Sequence, residues 1–137
     1  MDYWTIVKVE EVIKGGTFSV QEKKYAILRT TKIIPDVFAA INDGTEITLV
    51  MEQYRAKHSL TNESIDAFDP NWRIITFNME LPFELVGFIA TVSKVLAEKN
   101  ISIFSISSFS TDHILVKDDV IDEAINALKS IGFTQKQ

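Results

Sequence analysis

The chain has 137 residues, 46% hydrophobic and 24% charged, a composition that supports one globular domain or two very small ones with a real core. A net charge of -5 and 14 scattered basic residues argue against nucleic acid and anionic membrane surfaces as partners. With no cysteine there is no disulfide, no thiolate catalysis and no Cys-ligated zinc, and the expected location is cytoplasmic.

The N-terminal residues Met1-Asp2-Tyr3-Trp4 carry neither a basic nor an apolar leader segment, and no apolar stretch is long enough to span a bilayer. Thr5-Ile6-Val7-Lys8-Val9 alternates as a strand does, Ile13 to Phe18 reads as a strand broken by a glycine turn, and Lys24 to Leu28 is another strand. The Gly15-Gly16 pair lacks the surroundings of a phosphate loop and is explained by a turn. Pro35 through Ile41 reads as one short helix, after which Asp43-Gly44-Thr45 turns the chain into the buried strand Glu46 to Met51. The polar stretch Ser59 to Asp66, followed by Asp69-Pro70-Asn71, is rich in turn formers and marks a joint. It divides the chain into an irregular N-terminal unit, residues 1–66, and a C-terminal unit, residues 67–137. Each, at about 65 residues, is marginal by size alone, so the two are expected to pack side by side.

Downstream, Trp72 to Met79 is β-branched and aromatic, with Ile75, Phe77 and Met79 on one face of a strand. Pro82 suits a first helical turn, and Leu85, Phe88, Ile89, Val92 and Leu96 recur at helical spacing, with Asn100 as a left-handed cap. Gly87 then falls in the first turn of that helix, at a cost of about 1 kcal/mol relative to alanine, which suggests that a backbone or ligand comes close. Ile101 to Ser108 is a strand whose serines dominate its end, and Phe109-Ser110-Thr111-Asp112 leads to the antiparallel arm His113 to Val116. Asp118 or Asp119 caps a second helix ending at Gly132, followed by a very short last strand. Strand, helix, strand, strand, helix, strand is the α+β, ferredoxin-like βαββαβ order, with helices on one face of antiparallel sheets. A right-handed crossover makes the Trp72 and Ile101 strands neighbours and puts Leu81 to Gly87 at a strand's C-terminal end, where ligands gather.

Metal and catalytic readings find little support. Capping accounts for Asp118 and Asp119, no second histidine accompanies His113, and His58 has no suggestive neighbour, so no metal site is expected. Ser107, Ser108 and Ser110 lack a nucleophile-elbow pattern and a positioned base. The favoured constellation is Glu84, Val86, Gly87 and Phe88 at a helix N-terminus facing Ser108, Phe109, Thr111 and Asp112 at a hairpin end. Free N–H groups at a helix start suit an α-carboxylate, while Asp112 and Glu84 suit an ammonium or guanidinium group, and together these describe an amino acid or similar zwitterion. The alternative is that Phe88 and Phe109 are core, Glu84 complements the helix dipole and Asp112 makes a turn. An RNA-binding sheet is disfavoured because the Ile101 to Ser108 strand lacks basic and aromatic stacking residues.

Three segments carry a family resemblance: Leu81-Pro82-Phe83-Glu84-Leu85-Val86-Gly87, Leu96 to Ile103, and Ser107 to Val116. Over about Trp72 to Gly132 the chain resembles tandem ACT-domain proteins, the type that includes the arginine-sensing CASTOR proteins and bacterial paired-ACT relatives. In the first half, Asp43 to Val50 is similar to the corresponding family segment. The resemblance implies two ACT-like units whose strands make a larger sheet, an amino acid bound at an interface between units by Glu84, Leu85, Val86 and Gly87 with Ser108, Phe109, Thr111 and Asp112, and association into a homodimer; no cofactor is expected. The alternative it leaves is a ligand-free interaction or dimerisation module. Many metabolic-enzyme ACT domains place glycine directly after the loop proline. Here Phe83 to Val86 intervene, so ligand choice does not carry over.

Overall fold

Residues 9–59, 64–81 and 85–136 are described by a computed structural model, in which alternating apolar residues form strands and helically spaced ones form the two long helices. In chain order these are α1 (Val9–Ile13), β1 (Thr17–Val20), β2 (Tyr25–Thr30), β3 (Ala39–Asn42), β4 (Ile47–Glu52), α2 (Gln53–Ser59), β5 (Ile65–Phe77), α3 (Phe88–Ala97), β6 (Phe104–Ser107), β7 (Asp112–Lys117), a 3-10 turn (Asp118–Val120), α4 (Ile121–Ser130) and β8 (Thr134–Gln135). The fold is α+β with a mixed sheet and helices, consistent with a ferredoxin-like arrangement. Two compact units form: Gln21–Arg73, and the flanking Met1–Val20 with Ile74–Gln137. The division drawn from the sequence at 66/67 meets β5 near its start, because Asp69-Pro70-Asn71 does not end that strand.

The unit of residues 21–73 has the strand order β3-β4-β2-β5, with every pairing antiparallel. Ala26, Leu28, Leu49 and Met51 face one way and pack with Ile34 and Ala56 into a small core. Tyr25 pairs with Trp72 and Ile27 with Asp69, so one residue opposes two. Pro70 and Asn71 form that bulge, where Pro70 needs no ladder N–H and Asn71 takes a φ of 68°. Gln53 fixes it, accepting from Asn71 N–H at 2.6 Å and donating to Asn71 Oδ1 at 3.2 Å. The helix expected over Pro35 to Ile41 is absent. Asp36 has a φ of 59°, Arg55 donates to the carbonyls of Pro35 and Asp36 at 2.9 and 2.6 Å, and Phe38 N–H bonds Val50 O, which leads directly into β3. Those partners satisfy the backbone outside a helix.

In the second unit the order is β6-β7-β5-β1-β8. β7 separates β5 from β6, which corrects the expected adjacency of the Trp72 and Ile101 strands: a split βαβ leaves room for one strand between. β1 pairs antiparallel with β5, Phe18 opposite Phe77, and β8 adds outside it in parallel, so this pairing departs from an all-antiparallel sheet. Of the Thr5 to Val9 strand expectation, Thr5 to Lys8 lie outside the described residues and Val9 opens α1. Ile13 ends that helix, and Gly15, at a φ of 87°, turns the chain into β1. Ile75, Phe77, Val92, Leu96, Ile114, Val116, Ala124 and Leu128 bring the sheet, α3 and α4 into one core, with Phe77 edge-on to Phe88 at 5.2 Å. Asn100 takes the expected left-handed φ, 60°, and Gly132 ends α4 at 120°. Asp118 and Asp119 lie in the 3-10 turn before α4, whose N-cap is Val120.

Candidate functional site

The C-terminal end of β5, the start of α3 and the β6–β7 turn meet at one edge of the second unit. Helix α3 starts at Phe88, later than its apolar spacing suggests, and Gly87 is its N-cap. Gly87 has a φ of 88°, while a Cβ built there meets nothing within 4 Å. The glycine therefore answers a left-handed backbone and not a close neighbour, which corrects the close-approach reading. With no side chain at the cap, Gly87 offers the first-turn N–H groups no side-chain acceptor. Thr91 donates its N–H and hydroxyl back to Gly87 O at 2.9 and 2.8 Å.

Opposite stands the hairpin. Ser107 pairs with Asp112 across it, and the Ser107 hydroxyl donates to Asp112 Oδ1 at 2.6 Å. Ser108 closes the turn twice, donating its N–H and hydroxyl to Thr111 O, each at 2.9 Å. Leu81 N–H donates to Ser110 O at 3.0 Å, which fastens the end of the β5 segment to the turn. Behind it, His113 Nδ1 lies 3.0 Å from Thr76 Oγ1 and Nε2 lies 3.4 Å from Ser108 Oγ. Burial holds the His113 imidazole below its ordinary pKa, opposed by the Asp112 charge, so the ring favours the neutral state.

Between Phe88 of α3 and the β6–β7 turn lies a cleft of about 170 Å³. At about 30 Å³ per water it has room for roughly six waters, which suits a molecule of a few heavy atoms. Leu85, Phe88, Ser108, Phe109, Thr111 and Asp112 of the sequence-predicted set line it, joined by Leu81, Ser107 and Ser110. Val86 and Gly87 do not line it: Val86 points to solvent, 79% exposed. Glu84 lies outside the described residues. Phe88 is both wall and core, 4% exposed, whereas Phe109 stands on the rim at 81%. Leu81, Ser107 and Ser110 were absent from the sequence-predicted set; the pairing of Ser107 with Asp112 across the hairpin and the place of Leu81 as the last apolar residue before Pro82 are the signals that point to those two.

Chemically, the cleft has an acid at one side and a helix start at the other. Asp112 Oδ1 is engaged by Ser107, and its second oxygen has no hydrogen-bond partner among the described residues. Among the described residues no group of three His, Cys, Asp or Glu side chains could hold a metal ion, and no helix is long and apolar enough to cross a membrane.

Comparison with known proteins places this edge in a wider setting. A family model described as the ACT domain matches residues 67–130, so an ACT domain is found over the span that contains the cleft. A search of curated proteins gives no match. Among solved structures, a protein of unknown function from Vibrio cholerae, titled a possible transport protein, is similar at 22% identity and a TM-score of 0.74, over 90% of this chain and 95% of that one. A protein from Agrobacterium tumefaciens gives 22% identity and 0.73, over 88% and 92%. The ligand-free regulatory subunit of aspartate kinase from Thermus thermophilus gives 10% and 0.65, over 87% and 97%. At these identities the likeness is one of fold.

Proposed function

We propose that this chain is a non-catalytic regulatory module that binds a small amino acid in the cleft between α3 and the β6–β7 turn and changes its association with other chains on binding. The observation that carries the reading is Asp112, fixed by Ser107 with an oxygen to spare, facing a helix start that has no side-chain cap. The free N–H groups and the positive end of the α3 dipole receive an α-carboxylate, and Asp112 receives the ammonium group. The ACT-domain match and the regulatory subunits of similar fold support the regulatory class. The small cleft favours amino acids with short side chains.

A thermal-shift panel of the free amino acids tests it. A ligand at a hundred times its Kd stabilises the folded state by about 2.7 kcal/mol, a readily visible rise in Tm. Asp112→Asn removes a charge-assisted contact and weakens binding by about tenfold or more, with little change in the ligand-free Tm. Silence across the panel at millimolar concentration contradicts the proposal. A ligand-free interaction module is the second reading, favoured by the exposed Val86 and Phe109. It predicts one oligomeric state with or without metabolites.

A further inference from the structure

The unit of residues 21–73 repeats the strand order around the cleft just described, with different chemistry. Its order β3-β4-β2-β5 matches β6-β7-β5-β1, so the end of β2 beside the β3–β4 turn corresponds to the end of β5 beside the β6–β7 turn. In the second unit α3 follows that strand end. Here residues 31–38 form no helix, and an open cleft of about 590 Å³ lies at the end of β2, lined by Arg29, Asn42, Glu46 and Asp66 with Thr31 and Thr45.

Arg29 is anchored through one nitrogen only. Its Nε donates to Asp66 Oδ1 at 2.7 Å, and neither Nη has a hydrogen-bond partner among the described residues. The ion pair orients the guanidinium and leaves its terminal fork to a planar acceptor. Asn42 Oδ1 accepts from Gly44 N–H at 3.0 Å, which leaves its Nδ2 as a second donor at the cleft. The turn between them is stiff: Asp43 accepts from Glu46 N–H, Thr45 N–H and the Thr45 hydroxyl, and these bonds hold its pKa at about 2. The Asp43 charge is therefore spent on the turn, while Glu46 and Asp66 remain at the cleft as acceptors.

We infer that this cleft is a second binding site, for a small carboxylate that also carries an amino or hydroxyl donor, with Arg29 and Asn42 taking the carboxylate and Glu46 or Asp66 the donor. It stands on residues separate from the Asp112 cleft, so either site can fail without the other.

Backbone amide NMR of the full chain tests it, with the twenty standard amino acids, L-lactate and L-malate as probes. The expected result is a saturable movement of the Thr31, Gly44 and Thr45 amides with at least one probe. In Arg29→Gln that response weakens by about tenfold while the Ser108 to Asp112 amides respond as before. Arg29→Gln removes only an exposed ion pair, so the fold tolerates it, and unchanged amide positions in the rest of the spectrum verify this. No movement of the three amides with any probe up to about 10 mM, a concentration that detects even millimolar affinity, overturns the proposal. An undiminished response in Arg29→Gln overturns it equally. Silence at these amides with movement at Ser108 to Asp112 overturns this site alone, and the converse pattern overturns the Asp112 cleft alone.

Discussion

Gly87 acts through its backbone. A glycine at a helix start admits two readings, a near neighbour or a left-handed φ, and its place inside an apolar helical run points to the first. The structure gives a φ of 88° with open space where a Cβ would stand. Gly87→Ala should therefore destabilise by about 1 kcal/mol, from left-handed strain partly offset by lower unfolded-state entropy, without a clash. Urea unfolding reads this directly, and an unchanged or raised midpoint contradicts it. Other single residues were more legible. Asn100 and Gly132 follow apolar helical runs, a context that leaves a left-handed C-terminal position as the simplest outcome, and both adopt it. The same logic places Asp43 in a turn, though its threefold acceptance of hydrogen bonds emerges only from the folded geometry.

At the scale of elements, apolar patterns located β2, β4, β7 and α4 to within a few residues, whereas β5 begins at Ile65, seven residues before the strand expected from Trp72. Pro35 to Ile41 misled because its local composition fits a helix while its backbone partners, Arg55 and Val50, come from far along the chain. Asp69-Pro70-Asn71 misled for a related reason: turn formers also make a bulge when a long-range partner such as Gln53 is present. The β6–β7 hairpin carries a prediction of its own. His113 ties β7 to Thr76 of β5 and to Ser108 of the turn, and burial depresses its pKa. A histidine harder to protonate when folded contributes stability that is complete above its ordinary value, about 6.5, and is lost as pH falls from there through the folded value. Chemical denaturation across that window should show falling stability in the native chain and a flatter profile in His113→Gln. Equal slopes in the two contradict the linkage.

For the whole molecule, the ferredoxin-like order of the C-terminal stretch was legible because its elements are consecutive in sequence. The placement of β1 was not. Thr17–Val20 leaves a short apolar pattern that any sheet edge could accept, and its pairing with β5 spans a stretch that forms a unit of its own. Cross-strand partners so distant in sequence have no local signature, which also explains why a cut at 66/67 read more naturally than the discontinuous unit. The walls of the candidate cleft were more legible than the topology, since they come from two segments inside the ACT-domain match: the loop ending at Phe88 and the turn ending at Asp112. The central claim is that an amino acid sits between them. The most direct measurement is a crystal structure of the chain grown with the amino acid that gives the largest thermal shift. The account predicts density for the ligand between Leu85 to Phe88 and Ser108 to Asp112, its ammonium group on Asp112 and its carboxylate at the start of α3. A ligand bound elsewhere, or in this cleft with its carboxylate against Asp112, would contradict it.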